Sequence, residues 1–495
     1  MVALTIATPF AHNDAAAKSD AGCGYAMGYK KNRFQPENSV LLGSRGLFAL
    51  TLLFSLQPAK QESVSSRTAG NHLFYFPLTE AGSSRTPSTA LDKHAKSGTG
   101  IRMRSFHDIQ KNATILITCP RGLSDFLKNE VKSLGYPPTG HFPTGVTVKG
   151  SLIDCMTLNL GLSTAHHVLL LLKEFFCNHP DLLYREVNSI DWEYIVPSEG
   201  YVCVTSVVHT DTITDTRFAN LKCKDAIVDR MAQKNGKRCN SGSRRDNTVV
   251  HLYWQDDRCM LYIDTSGQPL SKRGYRLNPG SAPMQETLAA AVVRATGWNG
   301  KGTFINPMCG SGTLAIEAAL VGLNRAPGTL RDNFGFMHLA PFDREAYSNL
   351  LHKFISRENK VFPGKIIATD RDQVALDAAS ANAKKAGVDA IIDFDTCDFD
   401  ATEILDGKGV VVINPEYGFR MGNPEELKKV YKRIGDFFKR RCNGYTGFVF
   451  TGNFDLAKYI GLKSKWKTAF LSGKIECRLY AYELYAINRI NTEHD

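Results

Sequence analysis

Val411-Val412-Ile413-Asn414-Pro415-Glu416-Tyr417-Gly418 sets a polar, turn-forming stretch directly after three β-branched residues. A strand that ends this way is where an open α/β sheet builds its sites, outside the carboxyl ends of its strands. The same arrangement occurs upstream, where Thr303-Phe304-Ile305 runs into Asn306-Pro307-Met308-Cys309-Gly310-Ser311-Gly312-Thr313. That loop is glycine-rich and opens an Ala/Leu-rich helix over Gly312–Leu323. Around the two loops, strand and helix alternate, the signature of a parallel sheet with crossovers. Further strands are predicted at Lys365–Thr369, Ile391–Phe394, Val410–Ile413 and Gly447–Phe450, with a late pair at Trp466–Leu471 and Glu476–Leu484. Helices are predicted at Met284–Ala295, Gln373–Ala386 and Pro424–Arg440.

Each loop has its own chemistry. Glycines at 310 and 312 let backbone approach a ligand closely, and the helix that follows attracts negative charge to its N-terminus. That suits a dinucleotide or the carboxylate of S-adenosylmethionine. A dinucleotide fingerprint needs a third glycine where this chain has Ala315, and the Gly-Lys-Ser/Thr ending of a phosphate loop is missing. Cys309 reads as a small residue in a tight turn. Asp370 ends the next strand, where an acid accepts hydrogen bonds from a ribose or caps the following helix. Asp398 holds a similar place for an adenine amine, with Asp393, Asp395 and Asp400 as rivals. In the last loop, the Asn414 side chain and the Pro415 carbonyl can hold an exocyclic amine, and Tyr417 can stack on its base. The plainer reading is a strand-ending Asn-Pro turn.

The chain before this sheet reads as α+β. Thr114–Cys119 is a strand, Leu123–Leu134 a helix stopped at Gly135, and Val146–Gly150 another strand. A helix is predicted next from Leu152 through Met156 and Leu160 to Leu169–Leu172. A second unit follows: a helix at Leu183–Ile190, a strand at Tyr201–Val208, a helix at Ala219–Gln233, and strands Val249–Trp254 and Cys259–Asp264 joined as a hairpin. Lys222, Lys224, Arg230, Lys234, Lys237, Arg238, Arg244 and Arg245 concentrate cations there, either for phosphate contact or as a solvated face. Ser266–Arg276 bridges the halves with Lys272, Arg273, Tyr275 and Arg276, a linker that suits lying against RNA.

Composition bounds these readings. A length of 495 residues allows several domains, and 43% hydrophobic with 22% charged residues describes an ordinary globular protein. A formal charge of +11 favours a polyanionic partner through counterion release. The 12 cysteines show no C-x-x-C pair or zinc spacing, so reduced thiols and no metal are expected. No stretch approaches the roughly 20 apolar residues of a membrane span, and a cytoplasmic protein is expected. Residues 1–104 are rich in Ser, Ala and Gly and carry one short apolar run, Gly46–Leu56. They read as a disordered tail, a targeting extension or translation from too early a start, and Met103 favours the last.

With these motifs in order, the chain from Asn112 onward resembles the THUMP-containing RNA methyltransferases that make N2-methylguanosine. Within that family it resembles the N-terminal half of the bacterial 23S rRNA large-subunit methyltransferases. The likeness rests on Asp211-Thr212-Ile213, Cys223–Asp229, Asp264–Gly267, Lys272–Arg276, Asn306–Glu317 and Gly473–Leu479. It implies an α/β fold: a Rossmann-like S-adenosylmethionine-dependent methyltransferase domain preceded by α+β ferredoxin-like and THUMP domains. The expected division is a poorly ordered extension over 1–108, a ferredoxin-like region over 109–152, THUMP over 153–266, a linker over 267–281 and the methyltransferase over 282–495. By position, Asn306, Met308, Cys309, Gly310 and Gly312 line the S-adenosylmethionine, Asp370 holds its ribose and Asp398 its adenine. Asn414, Pro415 and Tyr417 hold the target guanine, and the partner is 23S rRNA or a precursor of the large subunit. This chain departs from the usual Asn-Pro-Pro-Tyr by Glu416, and activity is expected to survive. Larger members carry a second domain making 7-methylguanosine; ending at Asp495, this chain is expected to perform only the first reaction. The alternatives are a tRNA guanine-N2 methyltransferase, or a non-catalytic RNA-binding assembly factor with Glu416 as the lesion.

Overall fold

The computed structural model describes residues 111–213, 215–277, 284–418 and 423–485. The expectations for residues 1–108 and for the end of the linker lie outside these residues. Eight strands form the first sheet: β1 (Ala113–Thr118), β2 (Gly140–Phe142), β3 (Gly145–Gly150), β4 (His167–Phe176), β5 (Tyr201–His209), β6 (Asn240–Ser241), β7 (Thr248–Gln255) and β8 (Arg258–Asp264). Their order is β2-β3-β1-β4-β8-β7-β5-β6, so the expected ferredoxin-like and THUMP regions share one sheet, joined where β1 runs antiparallel to β4. The β7–β8 hairpin turns tightly at Asp256, whose φ of 49° is a left-handed conformation that Asp tolerates.

Four helices accompany this sheet: α1 (Ser124–Ser133), α2 (Leu152–Gly161), α3 (Pro180–Asn188) and α4 (Thr216–Asn235). In α4, Ala219, Cys223, Ala226 and Ile227 recur at helical spacing and are buried. The sequence reading carried α2 on through Leu172; instead it ends at Gly161, and Leu169–Leu172 belong to β4. The physical reason is that a short unbroken apolar run has no period of its own and fits a buried strand as well as a helix. Leu162, extended at ψ 128°, ends α2.

The second sheet contains β9 (Gly302–Pro307), β10 (Gly364–Asp370), β11 (Ile392–Thr396), β12 (Gly409–Ile413), β13 (Thr446–Thr451), β14 (Trp466–Ser472) and β15 (Ile475–Glu483). Their order is β11-β10-β9-β12-β13-β15-β14, parallel from β11 to β13 and antiparallel at β15 and β14. Its helices are α5 (Glu286–Ala295), α6 (Thr313–Gly322), α7 (Arg344–Ile355), α8 (Gln373–Ala386), α9 (Pro424–Arg441) and α10 (Phe454–Lys458). Nearly every residue of α6 is buried, as expected of a helix apolar all round. Helix α7 was not predicted, although Tyr347, Leu350, Leu351 and Phe354 recur with its period; it packs on α2. No helix among the described residues is long and apolar enough to cross a membrane.

Buried charge holds the two sheets' helices together. Arg273 and Tyr275, each 1% exposed, converge on Glu317 of α6. Tyr275 donates its hydroxyl to Glu317 Oε1 at 3.1 Å, and Arg273 Nε lies 3.4 Å from the same oxygen. Arg273 also donates to the Leu270 carbonyl at 2.6 Å and to the Ser163 carbonyl. Burial pushes the Glu317 carboxyl above its ordinary range, with the Arg273 guanidinium opposing the shift. Nearby, Glu130 of α1 accepts from the Ser163 and Thr164 backbone at 3.1 and 2.9 Å and pairs with Arg294 of α5 at 2.8 Å. Backbone meets backbone at Gly328, where a Cβ would fall 2.4 Å from Leu160 Cα of α2.

Two predictions follow from this packing. Arg273→Met leaves Glu317 buried without its cation and should cost about 3–5 kcal/mol in urea unfolding, whereas Arg273→Met with Glu317→Leu should recover most of the loss. Burial also pushes His166 and His251 down from 6.5 to about 4. Between those values the unfolded chain binds protons that the folded chain refuses, so stability is lost as pH falls from 6.5 to about 4. Thermal unfolding across that window should show the loss, and His251→Asn should flatten it.

Candidate active site

Strand β9 lies between β10 and β12, and the chain leaves it first towards β10 and later returns to β12. This reversal is the switch point where open α/β sheets bind ligands. Asn306, fully buried at the end of β9, donates Nδ2 to the Val412 carbonyl of β12 at 2.9 Å. The side chain thus ties the two strand ends together from behind the loops rather than lining the cleft they open.

Beyond Asn306 the glycine loop is fastened to β10. Met308 takes a φ of 55°, and the Cys309 N–H donates to the Thr369 carbonyl at 2.9 Å. The Gly310 N–H donates to Asp370 Oδ2 at 2.9 Å. Gly312 has a φ of 79°, and a Cβ there would sit 2.9 Å from Ala379 Cβ of α8, so only glycine fits. Gly312 is also the N-cap of α6 and offers no side-chain acceptor, which leaves first-turn N–H groups for another partner.

Asp370 uses its second oxygen to accept from the Asp372 N–H at 3.1 Å, and Asp372 rather than Asp370 caps α8. Asp398 follows β11 and accepts from Arg433 of α9 at 2.8 Å; that guanidinium also pairs with Asp400 at 2.6 Å and covers the Phe399 ring at 4.8 Å. Beyond β12, Asn414 buries an Oδ1 that has no hydrogen-bond partner. Asn453, at the start of α10, donates to the Tyr417 carbonyl at 3.4 Å.

These groups line one cleft of about 1190 Å³, shared by Met308, Cys309, Gly310, Asp370, Asp398 and the Asn414–Gly418 loop. It is large enough for a cofactor and a base side by side. An uncapped helix start, two acids and an orphaned amide oxygen suit a molecule with a carboxylate, a nucleoside and a neighbouring amine. The residues therefore fit S-adenosylmethionine. Sequence reasoning missed Arg433 and the β14–β15 turn, where Ser472, Gly473 and Ile475 complete the wall. The Gly473–Leu479 run was visible as part of the resemblance but carried no role.

The candidate RNA residues are dispersed. Arg273 and Tyr275 are corrected outright: with 1% exposure each, they anchor Glu317 and offer RNA nothing to touch. Arg276 turns inward too, donating to Glu286 at 2.9 Å, the Met284 carbonyl at 2.7 Å and Thr313 at 3.2 Å. Arg230 is held by Glu193 and Asp191 at 2.6 and 2.7 Å. The common cause is that a carboxylate of the same chain neutralises each guanidinium before any phosphate can. Lys222 and Lys224 are half-buried and paired with Asp181 and Asp225. Lys272 stays exposed, donating to Gln268 at 3.0 Å. Outside those residues, Arg244 is exposed and stacks on the Tyr201 ring at 4.6 Å. Among the described residues no group of three or more His, Cys, Asp or Glu is placed to hold a metal ion.

Comparison with known proteins agrees with this layout. Three family models match in chain order: an RlmL ferredoxin-like domain over 114–169, a THUMP domain over 178–264, and an RMKL-like methyltransferase domain over 273–481. The ribosomal RNA large subunit methyltransferase K/L of Syntrophotalea carbinolica is 33% identical over 377 residues, 74% of this chain and 53% of that protein. The chain thus spans about half the length of that relative. The provisionally named RNA methyltransferase slr0064 of Synechocystis sp. is 31% identical over 368 residues, 74% of this chain and 96% of that protein. A solved structure from Listeria monocytogenes, described as a predicted N6-adenine-specific DNA methylase, shares 30% identity and a TM-score of 0.69 over 77% of this chain and 99% of that one. With three domains matched in order and a relative covered almost end to end, the chain belongs to the family of THUMP-containing RNA methyltransferases.

Proposed function

We propose that the chain methylates the exocyclic N2 amine of one guanine in 23S rRNA, using S-adenosylmethionine, in the cytoplasm and before the site is buried in the ribosome. The observation that carries this reading is the buried, unpartnered Oδ1 of Asn414, an acceptor at the end of β12 on the cleft wall. A buried acceptor without a partner is costly, and an amine donor relieves it. The names of the K/L relatives support rRNA as the substrate.

When bound, S-adenosylmethionine supplies an electrophilic methyl group on sulfur. The glycine loop and the uncapped start of α6 would receive its carboxylate, Asp370 its ribose hydroxyls, and Asp398 its adenine amine. Asn414 Oδ1 and the Pro415 carbonyl accept the two N–H bonds of the target amine. That grip would hold the amine with its lone pair turned outward and stabilise the positive charge that develops on nitrogen until one N–H proton is lost. Tyr417 stacks on the base after it leaves its helix. Exposed Lys272, Arg244 and Arg245 supply phosphate contacts.

Incubation of the purified chain with labelled S-adenosylmethionine and separate pools of unmodified 23S rRNA and tRNA tests the reading. N2-methylguanosine in the rRNA alone is expected. The same nucleoside in tRNA alone overturns the substrate, and cofactor binding without transfer to either RNA favours an assembly factor. Asn414→Ala should lower kcat by about 10²–10³-fold with cofactor affinity nearly unchanged, since it removes an acceptor used most in the transition state. Tyr417→Ala should weaken engagement of the target base by about 1–3 kcal/mol, measured as a fall in kcat/KM.

A further inference from the structure

Glu416 is the one place where the catalytic loop departs from the family's usual Asn-Pro-Pro-Tyr, and the reaction as derived gives it no task. Its side chain is exposed and lies on the wall of the cleft, between Pro415 and Tyr417. Two cations share that wall among the described residues, Arg371 and Arg433. Arg433 is already committed to Asp398 and Asp400 at 2.8 and 2.6 Å. Neither cation is ion-paired to Glu416, and the carboxylate is left open to the cleft.

We infer that Glu416 selects guanine by accepting a hydrogen bond from the N1–H of the target base; this rests on the guanine-N2 reading above. The Pro415 carbonyl and the Glu416 backbone nitrogen belong to one peptide unit, so the carboxylate starts beside the acceptor that grips the N2 amine. In guanine the carbon that bears the amine is flanked by N1, which carries a hydrogen and attracts a carboxylate, and by N3, which carries a lone pair and repels one. A carboxylate is purely an acceptor, and its hydrogen bond to N–H is charge-assisted. Adenine and 2-aminopurine present a lone pair at N1, which faces the carboxylate with repulsion. Proline at this position has neither the attraction nor the repulsion. A site built to accept an N–H rejects an analogue lacking it far more strongly than an apolar pocket rejects a misfit.

The test separates recognition of the amine from recognition of N1. An RNA fragment carrying the mapped target guanine is compared with one carrying 2-aminopurine there, which keeps the N2 amine and loses the N1–H. The full-length wild-type enzyme should favour guanine by about 10–100-fold in kcat/KM, the size of one charge-assisted hydrogen bond. Glu416→Pro should bring the two substrates to within about threefold of each other, while Glu416→Gln, a neutral acceptor, should give an intermediate ratio. Cofactor affinity unchanged from wild type shows that each variant is folded. If Glu416→Pro does not fold, the Glu416→Gln ratio decides. Transfer to guanine with the same ratio in the variants as in wild type overturns this inference alone. A wild-type enzyme that prefers 2-aminopurine also overturns it. No transfer by wild type to either RNA overturns the guanine-N2 reading and this inference with it.

Discussion

The hydrogen bond from Asn306 Nδ2 to the Val412 carbonyl holds together two strands whose connections run in opposite directions. Strand β9 is followed through α6 by β10 on one side, while β12 arrives on the other only after β11 has been laid down. At such a reversal the strand ends diverge and leave a crevice between their loops. A buried amide across that gap sets how far apart the glycine loop and the Asn414 loop stand. On the other flank, the Cys309 and Gly310 N–H groups reach Thr369 and Asp370, so the glycine loop is stapled to β10 as well. The left-handed Met308 is the cost of turning the chain within that constraint.

The second constraint is electrostatic and is centred on Glu317, about one helical turn beyond the cleft-lining Thr313. Glu317 and Glu130 are buried carboxylates, and each is met by an arginine and by further donors. Charges removed from water are tolerated only when paired and hydrogen-bonded in this way. Arg273 and Tyr275 reach Glu317 from the segment that links the two sheets, so the linker is an anchor and not a loose tether. Arg331 reinforces it by donating to the Pro269 and Lys272 carbonyls at 2.8 and 2.9 Å. The first sheet is thereby held in register with the helix that begins at the glycine loop.

Much of the fold was legible because its signals are local. Helix α8 was read over Gln373–Ala386, the bounds it has in the structure, where Asp372 caps its start and Gly387, with a φ of 66°, stops it. The site loops were legible for the same reason: Met308, Gly310, Asp370, Asp398 and the Asn414–Tyr417 stretch each follow a strand end, and they line one cleft. What failed was whatever lacked a period or depended on a distant partner. The Leu169–Leu172 run has no period, so its assignment fell to helix when it belongs to β4. Arg433 reaches the cleft from α9, and no local pattern distinguishes it from Lys432 beside it.

The linker shows the division most clearly. From the sequence alone came the order of the elements, the two loops after their strands, and the residue types able to hold a cofactor and an amine. These follow from periodicity, capping and turn chemistry, which act over a few residues. Lys272, Arg273, Tyr275 and Arg276 look alike in that reading, as cations and an aromatic in a turn-rich stretch. Only the packed chain separates them: Lys272 faces solvent, Arg276 meets Glu286, and Arg273 and Tyr275 close on Glu317. Burial is decided by which distant segment arrives to cover a side chain, and neither charge nor spacing along the chain encodes that arrival.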